Sequence, residues 1–163
     1  MRWMGIASLL LAALPGMGCT TSIPAVHRTQ LQIREFQTRR FDVADTKVVL
    51  KAMLNVLQDE GFIIKNADAT LGFLMGSKTV DIEPGWLAKL AYVLNDDRYV
   101  KTAVIETSVT VTTVGTRTLV RANFEKRVFD NAGVVVAAQQ LDDEDYYREF
   151  FAKVDKGIFL EKP

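Results

Sequence analysis

The sequence predicts a two-layer α+β domain: a single antiparallel sheet of about five to six strands, with two long helices packed on one face and a short inserted helix. Three observations predict it. Residues 103–112 and 120–128 alternate apolar and polar with period two, as half-buried strands do. Two stretches, 47–60 and 142–158, place apolar residues three and four apart, as amphipathic helices do. Turn signals at Asn66-Ala-Asp68, Gly115-Thr116 and Asp130-Asn-Ala-Gly133 separate the remaining segments into short strands.

The elements follow in chain order. Met1 to Cys19 pairs one cation, Arg2, with an uncharged run from Met4 to Leu14, a Pro15-Gly16 break and the chain's single cysteine. At about 11 residues the run is half of what a helix needs to span a bilayer, so it reads as the apolar core of a secretory signal. Gly18 supplies the small residue that lipoprotein signals place before the cysteine. Residues 1–18 are therefore expected to be a lipoprotein signal peptide, and Cys19 the acylated first residue of the mature chain. The alternative is an ordinary signal peptide that leaves Cys19 a free thiol. Thr20 follows the cysteine, and in the proteobacterial sorting scheme a residue other than Asp there favours the outer membrane, facing the periplasm. Residues 19–30 are polar, contain Pro24 and His27, and read as a flexible leash to the lipid.

The single domain is expected over 31–163. Leu31 and Ile33 alternate with polar neighbours, the phase slips near Glu35-Phe36, and Phe41 and Val43 resume it, which reads as one long bulged strand. Asp45-Thr46 offers a cap for a helix over Lys47–Glu60 whose face is Val49, Met53, Val56 and Leu57, stopped by Gly61. Phe62-Ile-Ile64 and Leu71-Gly-Phe-Leu-Met75 make a hairpin around Asn66-Ala-Asp68. After Glu83-Pro-Gly85, the stretch Trp86 to Leu94 is apolar on nearly every face, with Lys89 its single charge. Two readings stay open. Either Trp86, Leu90 and Val93 pack into the core, or Trp86, Leu87, Leu90, Tyr92 and Leu94 form a contact for an envelope protein or the membrane surface.

The strands from Ala103, from Val120 and over Val134–Ala138 form an antiparallel meander. Their wet positions include Arg121, Asn123, Glu125 and Arg127. Asp142-Asp-Glu-Asp145 caps a final helix with the stripe Tyr147, Phe150, Phe151, Val154 and Ile158, which must be covered by the dry face of the sheet.

The segments Val49 to Phe62 and Ala67-Asp-Ala-Thr-Leu-Gly72 resemble the repeated helix-grip-like domains in the C subunit of the outer-membrane β-barrel assembly machinery. The chain is also similar to a broad group of small bacterial envelope lipoproteins, whose tails Asp145-Tyr-Tyr-Arg-Glu-Phe-Phe151 resembles. The resemblance spans about residues 31 to 160 and implies a fold more than a role.

The chemistry is sparse. The single histidine, His27, lies in the leash, so the folded part has no imidazole for a nucleophile or a metal. Ser77-Lys78 lies in a strand and lacks the helical spacing of lysine-assisted serine sites, and Asp142–Asp145 lacks the ligand alternation of a calcium loop. With 20 basic and 20 acidic residues, the chain gives no electrostatic case for nucleic acid. No cofactor, metal or catalytic residue is expected. Two functions remain: a non-enzymatic, lipid-anchored interaction or scaffold subunit of an outer-membrane-associated complex, or a lipoprotein holding a small apolar ligand or lipid between helices and sheet.

Overall fold

The computed structural model describes residues 28–82 and 98–161. Over these residues the order is α1 (Gln30–Phe36), β1 (Thr38–Phe41), α2 (Thr46–Asp59), β2 (Ile63–Asp68), β3 (Phe73–Asp81), β4 (Val100–Val114), β5 (Arg117–Asp130), β6 (Val135–Gln140) and α3 (Glu144–Glu161). All pairings are antiparallel, in the order β1-β5-β4-β3-β2, and β6 pairs with β5 beside β1. The expected α+β architecture of one antiparallel sheet with two long helices is present.

The first element corrects the expectation of a long strand. Residues 30–36 form a helix because Thr29 and Gln32 make a capping box. The Gln32 amide donates to the Thr29 hydroxyl, and the Thr29 amide donates to Gln32 Oε1 at 2.8 Å. Ile33 and Phe36, three apart, turn to the protein, while Leu31 points outward. The spacing two apart that suggested a strand therefore belongs to a short helix, and only Thr38–Phe41 pairs with the sheet. The turn after β2 is also displaced. β2 runs through Asp68, whose carboxylate accepts from the Thr70 and Leu71 amides and is thereby held below the ordinary aspartate pKa, the Leu71 bond first.

The two long helices are set as their signals predict. Asp45 caps α2 by accepting from the Lys47 amide at 2.8 Å. At the far end Gly61 adopts φ 86°, and the Phe62 and Gly61 amides return to the Leu57 and Gln58 carbonyls, a Schellman stop. α3 starts on Asp143, which accepts from the Asp145 and Tyr146 amides. Val49, Met53 and Leu57 of α2 then meet Tyr147, Phe151, Val154 and Ile158 of α3 over Leu74, Val109, Val120, Ala122 and Phe124 of the sheet. Phe124 sits at the centre, with its ring centroid 5.1–5.9 Å from those of Phe62, Tyr146, Tyr147 and Phe150.

Two short strands share the outer edge of β5: β1 covers Thr118–Arg121 and β6 covers Glu125–Phe129. Backbone groups between them need other partners. The Ala122 amide donates to the Gln37 carbonyl at 3.0 Å, and the Leu141 amide donates to the Phe124 carbonyl at 2.9 Å. The Phe124 amide donates to the buried Tyr147 hydroxyl at 3.2 Å. That hydroxyl also accepts from Gln37 Nε2 at 3.2 Å and donates to the Leu141 carbonyl at 3.3 Å. One phenol thus seals the seam between the two edge strands.

Candidate interaction surface

Strand alternation divides the sheet into two faces. One parity, with Leu74, Thr107, Val109, Val111, Val120, Ala122 and Phe124, lies under the helices and is buried. The other parity carries Phe73, Met75, Ser108, Thr110, Arg121, Asn123, Glu125 and Arg127. Among the described residues no helix covers it: Thr110, Thr112 and Met75 are exposed and most of the rest are half-buried. Register sets its rows. Thr38, Arg121, Thr110 and Phe73 lie abreast, then Asn123, Ser108 and Met75, then Glu125, Glu106 and Ser77.

Charge is unevenly spread over this face. Glu106 and Glu125 stand directly opposite each other, an arrangement that repels. Arg127 relieves it, with Nε donating to Glu125 Oε1 at 2.9 Å and Nη2 lying 3.3 Å from Glu106 Oε2. The Glu125 bond first, and the field of Glu106 second, raise the guanidinium pKa. Two carboxylates on one guanidinium leave that end one charge negative. At the other end Arg117 pairs with Asp42 at 2.7 Å. Arg40 and Arg121 have no ion pair among the described residues. Between the two ends, Arg121 Nε and Asn123 Oδ1 are closed off from solvent and have no hydrogen-bond partner. Such orphans are uncommon in folded proteins, and each leaves a donor or acceptor to be met.

Several grooves open among the described residues, including one of about 380 Å³ between the helix-side face of the sheet and the start of α3, lined in part by Ala103, Ile105, Leu141 and Tyr146. One of about 350 Å³ lies beside the positive end, lined by Arg40, Val114, Arg117, Thr118 and Leu119. Another of about 440 Å³ separates α1 from the start of α3, lined among others by Arg28, Phe36 and Arg148. None of the three is lined by Val49 or Met53, whereas Phe151 lines the groove beside α1. Beneath the helices Val49, Met53 and Val154 are fully buried, and that layer is packed.

Among the described residues no group of three His, Cys, Asp or Glu side chains comes together to hold a metal ion. Ser77 and Lys78 fall on opposite faces of β3, and the Lys78 ammonium instead donates to the Glu60 carbonyl at 2.6 Å, closing the end of α2. The acidic run before α3 is a helix cap through Asp143, with Asp145 paired to Arg148 at 2.6 Å. No helix among the described residues is long and apolar enough to cross a membrane. Cys19 and the contact candidates Trp86, Leu87, Leu90, Tyr92 and Leu94 lie outside the described residues. Sequence alternation had marked Arg121, Asn123, Glu125 and Arg127 as one wet face. It could not mark the orphaned atoms, which depend on packing across strands.

No protein-family model and no curated protein matches the chain. The chain is similar to several solved structures, among them two from Bacteroidetes. One is a TBP-like protein from Parabacteroides distasonis, at 12% identity and TM-score 0.41, the match covering 75% of this chain and 90% of that one. The other is a DUF4468 family protein from Bacteroides ovatus, at 13% identity and TM-score 0.39, with 74% and 84% covered.

Proposed function

We propose that the chain is a non-enzymatic, lipid-anchored protein of the bacterial cell envelope, an interaction or scaffold subunit at the outer membrane facing the periplasm. The observation that carries this reading is the contrast between the two faces of the sheet. Around Val49 and Met53 the helix-covered face is filled, whereas the opposite face carries Arg40 and Arg121, which have no ion pair among the described residues. Cations without ion pairs on a broad surface suit contact with another protein; an enclosed site for an apolar ligand needs space that the layer around Val49 and Met53 lacks. The signal layout ending at Cys19 supports anchoring, as does the resemblance of residues 49–62 and 145–151 to envelope lipoproteins. The Trp86–Leu94 stretch belongs to this proposal as a second contact.

The test is crosslinking in intact membranes, followed by capture of the tagged chain and identification of what is joined to it. A specific envelope protein, lost on Trp86→Ser/Leu87→Ser or on Arg121→Glu with the melting temperature unchanged, is the expected result. Capture no richer than that of an unrelated lipoprotein would overturn the scaffold role. A mature mass without a diacylglyceryl group on Cys19 would overturn the anchor.

A further inference from the structure

The stretch Arg121-Ala-Asn123-Phe-Glu125 is antisymmetric in charge about its middle. On the open face it presents a cation, an amide and an anion at consecutive outward positions, each about 7 Å from the next. A twofold axis through Asn123, lying in the plane of the sheet and across the strands, reverses that order. It sets a second copy's Arg121 over Glu125, its Glu125 over Arg121, and its Asn123 over Asn123. From this we infer that the open face is a self-complementary interface on which two copies of the chain pack sheet to sheet. The inference rests on the reading above that this face is the working surface, and names its occupant.

Four observations converge on it. First, the triad of Glu106, Glu125 and Arg127 keeps one unneutralised negative charge, and Arg121 is a cation without an ion pair among the described residues. Across facing sheets about 10 Å apart, an extended arginine reaches the opposing carboxylate. Second, the half-buried Asn123 lies on the axis, so that its amide meets the same amide of the partner copy, a group that both donates and accepts. Third, the groups around the axis are Ser108, Thr110, Phe73 and Met75, a surface of small polar and apolar side chains that repels nothing in a copy of itself. Fourth, Arg28 touches Glu144 and the Asp142 carbonyl, at the β1–β6 edge. An axis running across the strands keeps that edge, and Arg28 with it, on the same side in both copies, as two chains anchored in one membrane would require. The face spans about 20 Å across the strands and about 27 Å along them. That places the pair at the small end of specific interfaces, and anchoring in one membrane raises the effective concentration of the two faces.

The experiment is sedimentation velocity of the full chain in non-ionic detergent, over a range of concentrations and at two salt levels. The chains compared are wild type, Arg121→Glu, Glu125→Arg and the double reversal Arg121→Glu/Glu125→Arg. Wild type is expected to associate reversibly to a dimer that weakens as salt rises. Each single reversal sets like charges over each other and weakens association by about tenfold or more, and the double reversal restores it. Asn123→Asp, which puts two carboxylates on the axis, weakens it as well. Circular dichroism melting on the same samples confirms that each chain is folded. A wild type that stays monomeric at about 100 µM and low salt, equal association in all chains, or a double reversal no better than the singles overturns the inference. The outcome stays separate from the scaffold role. Loss of membrane capture on Arg121→Glu with the dimer intact removes this inference and keeps that reading, whereas the expected dimer pattern with empty capture does the reverse.

Discussion

Replacing Tyr147 with Phe should destabilise the domain by about 3 kcal/mol through the loss of a single oxygen atom. The ring itself would stay, keeping its contacts with Phe36, Phe124 and Tyr146 at centroid distances of 5.2, 5.6 and 5.9 Å. What disappears is the acceptor for the Phe124 amide and the Gln37 side-chain amide, and the donor to the Leu141 carbonyl. Phe124 and Gln37 are fully buried, and Gln37 Oε1 already lacks a partner, so neither stranded donor has water to turn to. Each buried donor left unmet costs about 1–3 kcal/mol, while the half-buried Leu141 carbonyl adds less. Not having to bury a hydroxyl offsets part of this, which leaves about 3. Urea unfolding measures the change as a shift in midpoint at constant slope. A companion substitution separates packing from hydrogen bonding. Tyr147→Phe combined with Gln37→Leu removes one stranded donor with its acceptor and should recover about 1 kcal/mol of the loss. A Tyr147→Phe chain within 0.5 kcal/mol of wild type, or a double variant that recovers nothing, would show that the seam on β5 is closed some other way.

Register makes a second prediction. Val109 is fully buried and Thr110 exposed, so Val109→Asp should cost about 3 kcal/mol or more and Thr110→Asp about 1 or less; equal losses in denaturation would contradict the pairing. Two glycines should respond in opposite directions. A Cβ on Gly72 would lie 2.1 Å from the Val111 carbonyl oxygen, so Gly72→Ala should unfold or severely weaken the domain. On Gly157 the nearest atom is Ala52 Cβ at 3.4 Å, and Gly157→Ala should raise stability by about 0.5–1 kcal/mol through helix propensity. Burial holds the Tyr146 and Tyr147 phenols above the ordinary tyrosine value of 10.0. Unfolded phenols ionise there first, so the unfolded chain binds fewer protons and stability should fall as pH rises past 10, read as a declining urea midpoint between about pH 9 and 11.

The parts of the fold that periodicity encodes were legible in the sequence. α2, α3 and the β4–β5 pair repeat one pattern over many residues, and in each the expected face is the buried one. Over seven residues α1 offers too few repeats, and Leu31-Gln-Ile33 matches a strand as well as a helix; the Thr29–Gln32 capping box was the signal that decides. The wet side of β5 was legible residue by residue, but its electrical asymmetry was not, because it depends on Glu106 standing opposite Glu125. Tyr147 shows the same limit in another form. Its helical spacing marks the ring as core, while its hydroxyl answers to an amide on β5 and a side chain before β1.

The seam on β5 also governs when the fold can close. β1 lies near the start of the domain, yet its partner is β5, about eighty residues later, and the gap beside it waits for Tyr147 in the last helix. A chain emerging from one end therefore holds β1 without a neighbour through most of its synthesis, and even a complete sheet keeps an unmet amide until the C-terminal segment arrives. Contacts of such long sequence separation fold late. The eighteen residues of α3 thus act as a latch, so that a chain cut short before α3 is not a smaller domain but an open one, with its seam and its apolar face still wet.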